Sequence, residues 1–368
     1  MNRLPESSNG SIMPYLGLPF PEGFEGCWAG EFSAPDPLVP PLICCGSVDG
    51  KLRFTNQEFS PLYDGGIGSA SGEAINGVAQ IGTWLAVSTR KEISFRSIVD
   101  NKSGYFVPLG AHGITATRSG HFLAPLGRAG ILTASPGSGD EAALMAHTPG
   151  DGTLYIYRAL CLRSQTGTEV LACAARLGGI VAGAFSASQE ANPMRTARFD
   201  KVDVIDICPL CSEGDSLAVA VLGRDGSLIL CRDVLNDRRT KTCKFHTIKG
   251  VAYRILSHLG DIYVLTNRGL YVLGQLGSRF LNGDTMVGVT TPVMPLELAA
   301  IDMNLVWGRW LLVVMANEVR KFDADLIHDF VPQHIGEGEI QELQSNAATI
   351  ESEWNDINST TESLAATC

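Results

Sequence analysis

The chain has 368 residues, which at roughly 100–200 residues per domain allows two or three ordinary domains or one large repeat domain. Apolar residues make up 45% and charged residues only 18%, so there is ample material for a core and too little charge for wholesale disorder. Twenty-eight basic against thirty-nine acidic residues give −11, which argues against coating nucleic acid through overall charge and leaves room for a local basic surface.

Residues 1–24 read as a polar segment ahead of the fold, and the opening MNRLPESSNG lacks the apolar stretch of a signal peptide. No run of eighteen apolar residues appears, so no membrane span is expected. Ten cysteines are scattered irregularly, several inside strand-like runs such as LICCG and LILCR. That pattern fits reduced, buried thiols and a protein of the cytoplasm or nucleus.

From residue 25 to 333 the chain repeats a short apolar run, a glycine turn and another short apolar run. Residues 202–234 show the unit: VDVIDICPLC, SEGD, SLAVAVLG, RDG, SLILCRDV, three antiparallel strands a, b and c, with KTCKFHTI as strand d. The a–b turns hold Gly82, Gly120, Gly167, Gly214, Gly260 and Gly308, spaced by subtraction at 38, 47, 47, 46 and 48. The b–c turns hold Gly50, Lys91, Gly130, Gly179, Gly226, Gly269 and Glu318, spaced at 41, 39, 49, 47, 43 and 49. A four-stranded unit recurring every 40–45 residues or so marks β-propeller blades, and seven b–c turns predict seven of them. The expected fold is all-β, a seven-bladed propeller with a short acidic C-terminal extension.

Over residues 25–330 the chain resembles the WD40-like repeat family, most closely in SEGDSLAVAVLGRDGSLILCRD and next in VDGKLRF. It departs from the family pattern in two places. Cys231, Arg232 and Asp233 stand where the Trp-Asp ending belongs, and the Gly-His opening is missing. The resemblance implies a non-catalytic scaffold that assembles a multiprotein complex. Blade seven offers only AIDMNLVW, WLLVVMA and EVRKFD before the chain turns polar, so its outer strand must come from elsewhere. GCWAGEFS at 26–33 either supplies it or is strand a of blade one.

Five consecutive b–c turns carry an arginine: Arg90, Arg128, Arg176, Arg224 and Arg268, with Lys51 and Lys91 beside the first two turns. All b–c turns of a propeller emerge on one face, so these seven cations predict a basic arc. It would take an acidic or phosphorylated segment of a protein partner or, alternatively, a nucleic-acid backbone. The plainer reading is local neutralisation, since Asp49 lies near Lys51 and Asp225 beside Arg224. On the a–b side Trp84 and Trp310 read as core, and Trp307 as a candidate partner contact.

Catalytic motifs are absent, and neither a cofactor nor a metal is expected. A propeller enzyme is the rival class, but Asp203, Asp206 and Asp302 are the only acids on the inner strands. GGIGSASGE at 65–73 reads as a flexible connection rather than a phosphate loop. Cys208, Cys211, Cys243 and His246 have zinc-like spacing, yet two strands at roughly 4.7–4.9 Å each would separate the pairs. The tail at 334–368 has seven acids and no Lys or Arg after Gly336. Its seam from Ile340 to Leu364 reads as a frayed tail or an amphipathic helix. Anchored by Ile350 and Trp354, such a helix would dock on a partner, a second copy or the propeller.

Overall fold

Val219, Ala220, Val221 and Leu222 follow one another in sequence and are all fully buried. Side chains of a strand alternate between its two faces, so such a run suits a strand covered on both sides. Val219 and Val221 join the apolar seam toward blade four, and Ala220 and Leu222 join the seam toward blade six. The same logic recurs around the molecule. Leu171, Cys173 and Ala175 face blade three, while Val170, Ala172 and Ala174 face blade five. The core is therefore a set of seams between sheets.

A computed structural model describes residues 13–33, 36, 38–99, 104–136, 144–147, 154–163, 169–176, 179–184, 195–197, 202–210, 217–232, 234, 241–245, 250–282, 290–293 and 300–330. The chain divides into units 1–328 and 329–368, and the first holds the ring. Among the described residues the strands form seven four-stranded antiparallel sheets, the predicted seven blades. Their inner a strands are Gly26–Phe32, Gly77–Ile81, Thr115–Ala116, Tyr155–Arg163, Val204–Pro209, Ala252–His258 and Ala300–Val306. All seven line one central cavity of about 540 Å³. Turn glycines take left-handed backbone where predicted, for example Gly226 (φ 81°) at a b–c turn and Gly260 (φ 86°) at an a–b turn. Gly167 and Gly214 lie outside the described residues. No helix among the described residues is long and apolar enough to cross a membrane.

Ring closure resolves the open choice. Gly26–Phe32 is strand a of blade one, and the outer strand of blade seven is Leu16–Pro19. It pairs antiparallel with Glu318–Asp323, from Leu16 opposite Lys321 to Pro19 opposite Glu318. The segment 1–24 is therefore not wholly outside the ring. The burial of each strand gives the reason: Gly26–Phe32 is almost entirely buried, as an inner strand must be, whereas Leu16–Pro19 is half-buried and ends in a proline, which suits an edge. Tyr15 adds a cap, its ring 4.5 Å beneath the Arg320 guanidinium.

The glycine-rich run differs from the flexible connection expected. Strand d of blade one, Pro61–Ile67, takes its first three residues. The remainder wraps the Glu92 carboxylate, to which Ser71 N (3.0 Å), Ser69 Oγ (3.2 Å) and Ser94 Oγ (3.2 Å) all donate. An internal anion occupies the loop's donors. Burial pushes the Glu92 carboxyl up, but these donors outweigh it and hold it below the ordinary glutamate value. A depressed folded-state value contributes stability that is present above the unfolded value and lost as pH falls through the folded one. Glu92→Gln is accordingly expected to unfold at lower urea at pH 7. It should also show a shallower loss of stability than the parent below roughly pH 4, the ordinary glutamate range. Parallel acid dependences would contradict this.

Two short helices, Leu276–Asn282 and Ala324–Phe330, interrupt the all-β pattern. Asp323 caps the second, its Oδ1 accepting from Asp325 N (3.1 Å) and Leu326 N (3.3 Å). The acidic segment 334–368, with Ile350 and Trp354, lies outside the described residues.

Candidate functional site

Strand b ends and strand c begins on one face of the ring, and strand d returns to that same face before crossing to the next blade. The b–c turns and the d–a connections therefore share a surface. Side-chain oxygens set the turns: Ser47 Oγ accepts from Lys51 N (2.8 Å), Thr89 Oγ1 from Lys91 N (3.2 Å) and Thr266 Oγ1 from Arg268 N (3.0 Å). Each turn then throws its cation outward. Lys51, Arg90, Lys91, Arg128, Arg176, Arg224 and Arg268 are all exposed.

Local carboxylates neutralise part of this arc. Lys51 pairs with Asp49 at 2.5 Å, and Lys91 with Glu73 of the blade one–two connection. Asp203 serves two blades at once, 3.5 Å from Arg176 Nε and 3.0 Å from Arg224 Nε. Arg224 thus pairs with Asp203, while the neighbouring Asp225 accepts from Ser227 N at 3.0 Å and shapes the turn. Among the described residues Arg90, Arg128 and Arg268 enter no ion pair. Trp307 stands apart from all of them. It occupies an a–b turn on the opposite face and packs on the seam between blades seven and one. Its backbone N donates to Glu31 Oε2 at 3.1 Å. Trp84 and Trp310 likewise pack against apolar seams.

Two arrangements were not foreseen from the sequence. The first is an aromatic cluster on the basic face. His112 lies 5.2 Å from the Tyr155 ring and 5.0 Å from the Tyr157 ring, and the two tyrosines are 4.9 Å apart. His112 Nε2 and the Tyr155 hydroxyl share a 2.7 Å hydrogen bond. Burial, then the nearby Arg90 charge, lowers the His112 pKa and keeps the ring neutral.

The second is a ladder of opposite charges inside the ring. Arg158, Asp206, Arg254 and Asp302 lie 48 residues apart by subtraction, on the a strands of blades four to seven. In each strand the pairing register shifts by one residue just before the charged position. That bulge turns the charged side chain inward. Asp206 Oδ1 accepts from Arg158 Nε (2.8 Å) and Ile207 N (3.0 Å), and its Oδ2 from Ile255 N (3.1 Å). Asp302 pairs with Arg254 in the same way and accepts from Met303 N (2.8 Å). Burial lowers the Arg254 pKa, but Asp302 and Asp206 outweigh it and raise the value. The sequence clue was the repeat of Tyr-Arg at 157–158 and 253–254 against Ile-Asp at 205–206 and 301–302.

This ladder bears on the rival enzyme. Asp203 belongs to the b–c face, and Asp206 and Asp302 are engaged by guanidinium and backbone donors, a structural arrangement rather than that of a poised acid or base. Glu31, on the inner strand of blade one, is a further cavity carboxylate that the expected three did not include. Burial pushes the thiols of Cys27, Cys45, Cys161 and Cys231 up to about 12, so none is a ready thiolate ligand or nucleophile. Cys208 and Cys243 sit on the first and fourth strands of blade five, with two strands between. Cys211 and His246 lie outside the described residues.

No family model and no curated protein matches the chain. Solved structures do. The WD40 β-propeller domain of Doa1 superposes with a TM-score of 0.61 at 13% identity, covering 86% of this chain and 97% of that one. The β-propeller domain of Cps50 (Swd1) from Myceliophteria thermophila gives 0.59 at 10% identity, covering 85% and 99%.

Proposed function

We propose that this chain, which has the WD40 β-propeller fold, is a non-catalytic interaction scaffold that takes an acidic or phosphorylated segment of a protein partner on its b–c face. One observation carries the reading. On a chain of net charge −11, three turn arginines at equivalent places, Arg90, Arg128 and Arg268, are exposed on one face with no ion pair among the described residues. Arginine in that state presents a planar fork that carboxylate or phosphate oxygens can take up in pairs. The rigid ring supplies the rest, because a surface already ordered has less entropy to lose on binding. We assign it to the cytoplasm or nucleus, where buried thiols stay reduced.

The test is purification from native cells with three baits: the parent chain, the triple variant Arg90→Glu, Arg128→Glu and Arg268→Glu, and Arg118→Glu on the exposed a–b turn of blade three. A stoichiometric partner should accompany the parent and Arg118→Glu and fall at least about tenfold with the triple variant, the loss of about 1.4 kcal/mol or more. Equal recovery on all three baits would dismiss the basic face.

A further inference from the structure

The basic face is uneven, and its unevenness localises the contact. Asp49, Glu73 and Asp203 neutralise Lys51, Lys91, Arg176 and Arg224, whereas Arg90, Arg128 and Arg268 have no such partner among the described residues, and of these three only Arg90 and Arg128 lie on adjacent blades. Between these two turns and the start of blade four lies the cluster of His112, Tyr155 and Tyr157, all half-buried.

The sector is built to hold its shape. Gly127 N donates to Ile156 O (3.2 Å) and Ile156 N to Gly127 O (3.1 Å), which ties the b–c turn of blade three to the inner strand of blade four. A Cβ on Gly127 would meet the Tyr155 ring at 2.8 Å, and its φ is +65°. Only glycine lets this turn lie against the ring, with Arg128 exposed just beyond the tyrosine. On the other flank the peptide of Arg90 packs against Gly110, in the connection that carries His112. Tyr157 is the residue passed over at the register shift between Ile156 and Arg158. The bulge aims Arg158 into the ring and leaves Tyr157 beside Arg176, whose Nη1 is 3.5 Å from its hydroxyl. Rigid aromatics beside unpaired arginines are the composition of an interface hot spot.

We propose that Arg90, Arg128, His112, Tyr155 and Tyr157 form a peptide subsite in which the arginines take carboxylates of an acidic partner segment and the tyrosine edges take an apolar side chain next to them. This rests on the interaction-scaffold reading above and narrows it to one sector. Charge complementarity selects the occupant: the arginines disfavour a cationic segment, and a neutral apolar one would leave both guanidinium groups without an anion. With its neutral ring, His112 holds the Tyr155 hydroxyl in place and adds no charge to the site.

The test is display selection of random twelve-residue peptides on the full chain, followed by titration of the enriched peptides by fluorescence anisotropy. Enriched sequences should place Asp or Glu next to an aromatic or aliphatic residue. Their affinity should fall at least about tenfold for Arg128→Glu and for Tyr157→Ala, and by less than about threefold for Arg118→Glu on the opposite face, each variant remaining folded by circular dichroism. Acidic peptides whose binding is lost only with Arg268→Glu would overturn the subsite while leaving the face intact. Enrichment without acidic residues would overturn the subsite, and a twenty-nucleotide single strand that binds more tightly than any peptide would overturn both.

Discussion

Asp206→Asn is expected to cost about 2–4 kcal/mol of stability, because it strands a largely buried arginine without its counter-charge. The figure lies below that for a fully buried pair because the Arg158 side chain keeps 19% of its surface exposed while Asp206 keeps 1%. Asparagine keeps one acceptor oxygen, which can hold Ile207 N or Ile255 N but not both, so the loss reports the charge together with one backbone contact. Adding Arg158→Met should recover about half of the loss or more, since removing both charges also removes the burial penalty. Urea midpoints of the two variants and the parent decide it. If the double variant is no better than the single, the ladder holds blades four and five together through shape alone.

Removing residues 1–20 deletes the outer strand of blade seven and leaves the edge Glu318–Asp323 unpaired. It also removes the Tyr15 ring from Arg320. Backbone bonds worth about 0.5–1.5 kcal/mol each are lost, and an exposed strand edge invites pairing with other chains. The expected outcome is a lower melting temperature and a shift to assemblies larger than the parent on size exclusion. A synthetic peptide of residues 13–22 supplied in excess should restore the parent elution volume. A truncated chain that elutes and melts as the parent does would show that the ring does not depend on this closure.

Blade number and turn positions were legible because they rest on strong local signals. Gly226 and Gly260 occupy left-handed turns, and runs such as Val219 to Leu222 need cover on two sides. The closing strand was not legible. Leu16–Pro19 is four residues long, half-exposed and flanked by prolines, and its identity as a strand comes from an edge some three hundred residues away in sequence. The glycine-rich run looked like slack chain because its organiser, Glu92, belongs to another blade.

The candidate site was half legible for the same reason. Turn arginines recur at the blade period, so their common face could be read from spacing alone. Local neutralisation was legible as well, and Asp49 does pair with Lys51, but Asp203 and Glu73 were not identifiable because they reach the turns from the connections between blades. The His112, Tyr155 and Tyr157 cluster joins a connection to an inner strand, and no periodicity links those positions. The inner ladder did carry a periodic signal at 48 residues, but bulges alter its register and a strict alternation search passes over it.

Docking of partners on the b–c face is open to hydrogen–deuterium exchange of the chain with its co-purified partner. Exchange should slow at 88–92, 125–130, 154–158 and 266–270, with the a–b turns at 82–84, 118–122 and 307–310 unchanged. Protection confined to those a–b turns would place the partner on the opposite face and rule this docking out.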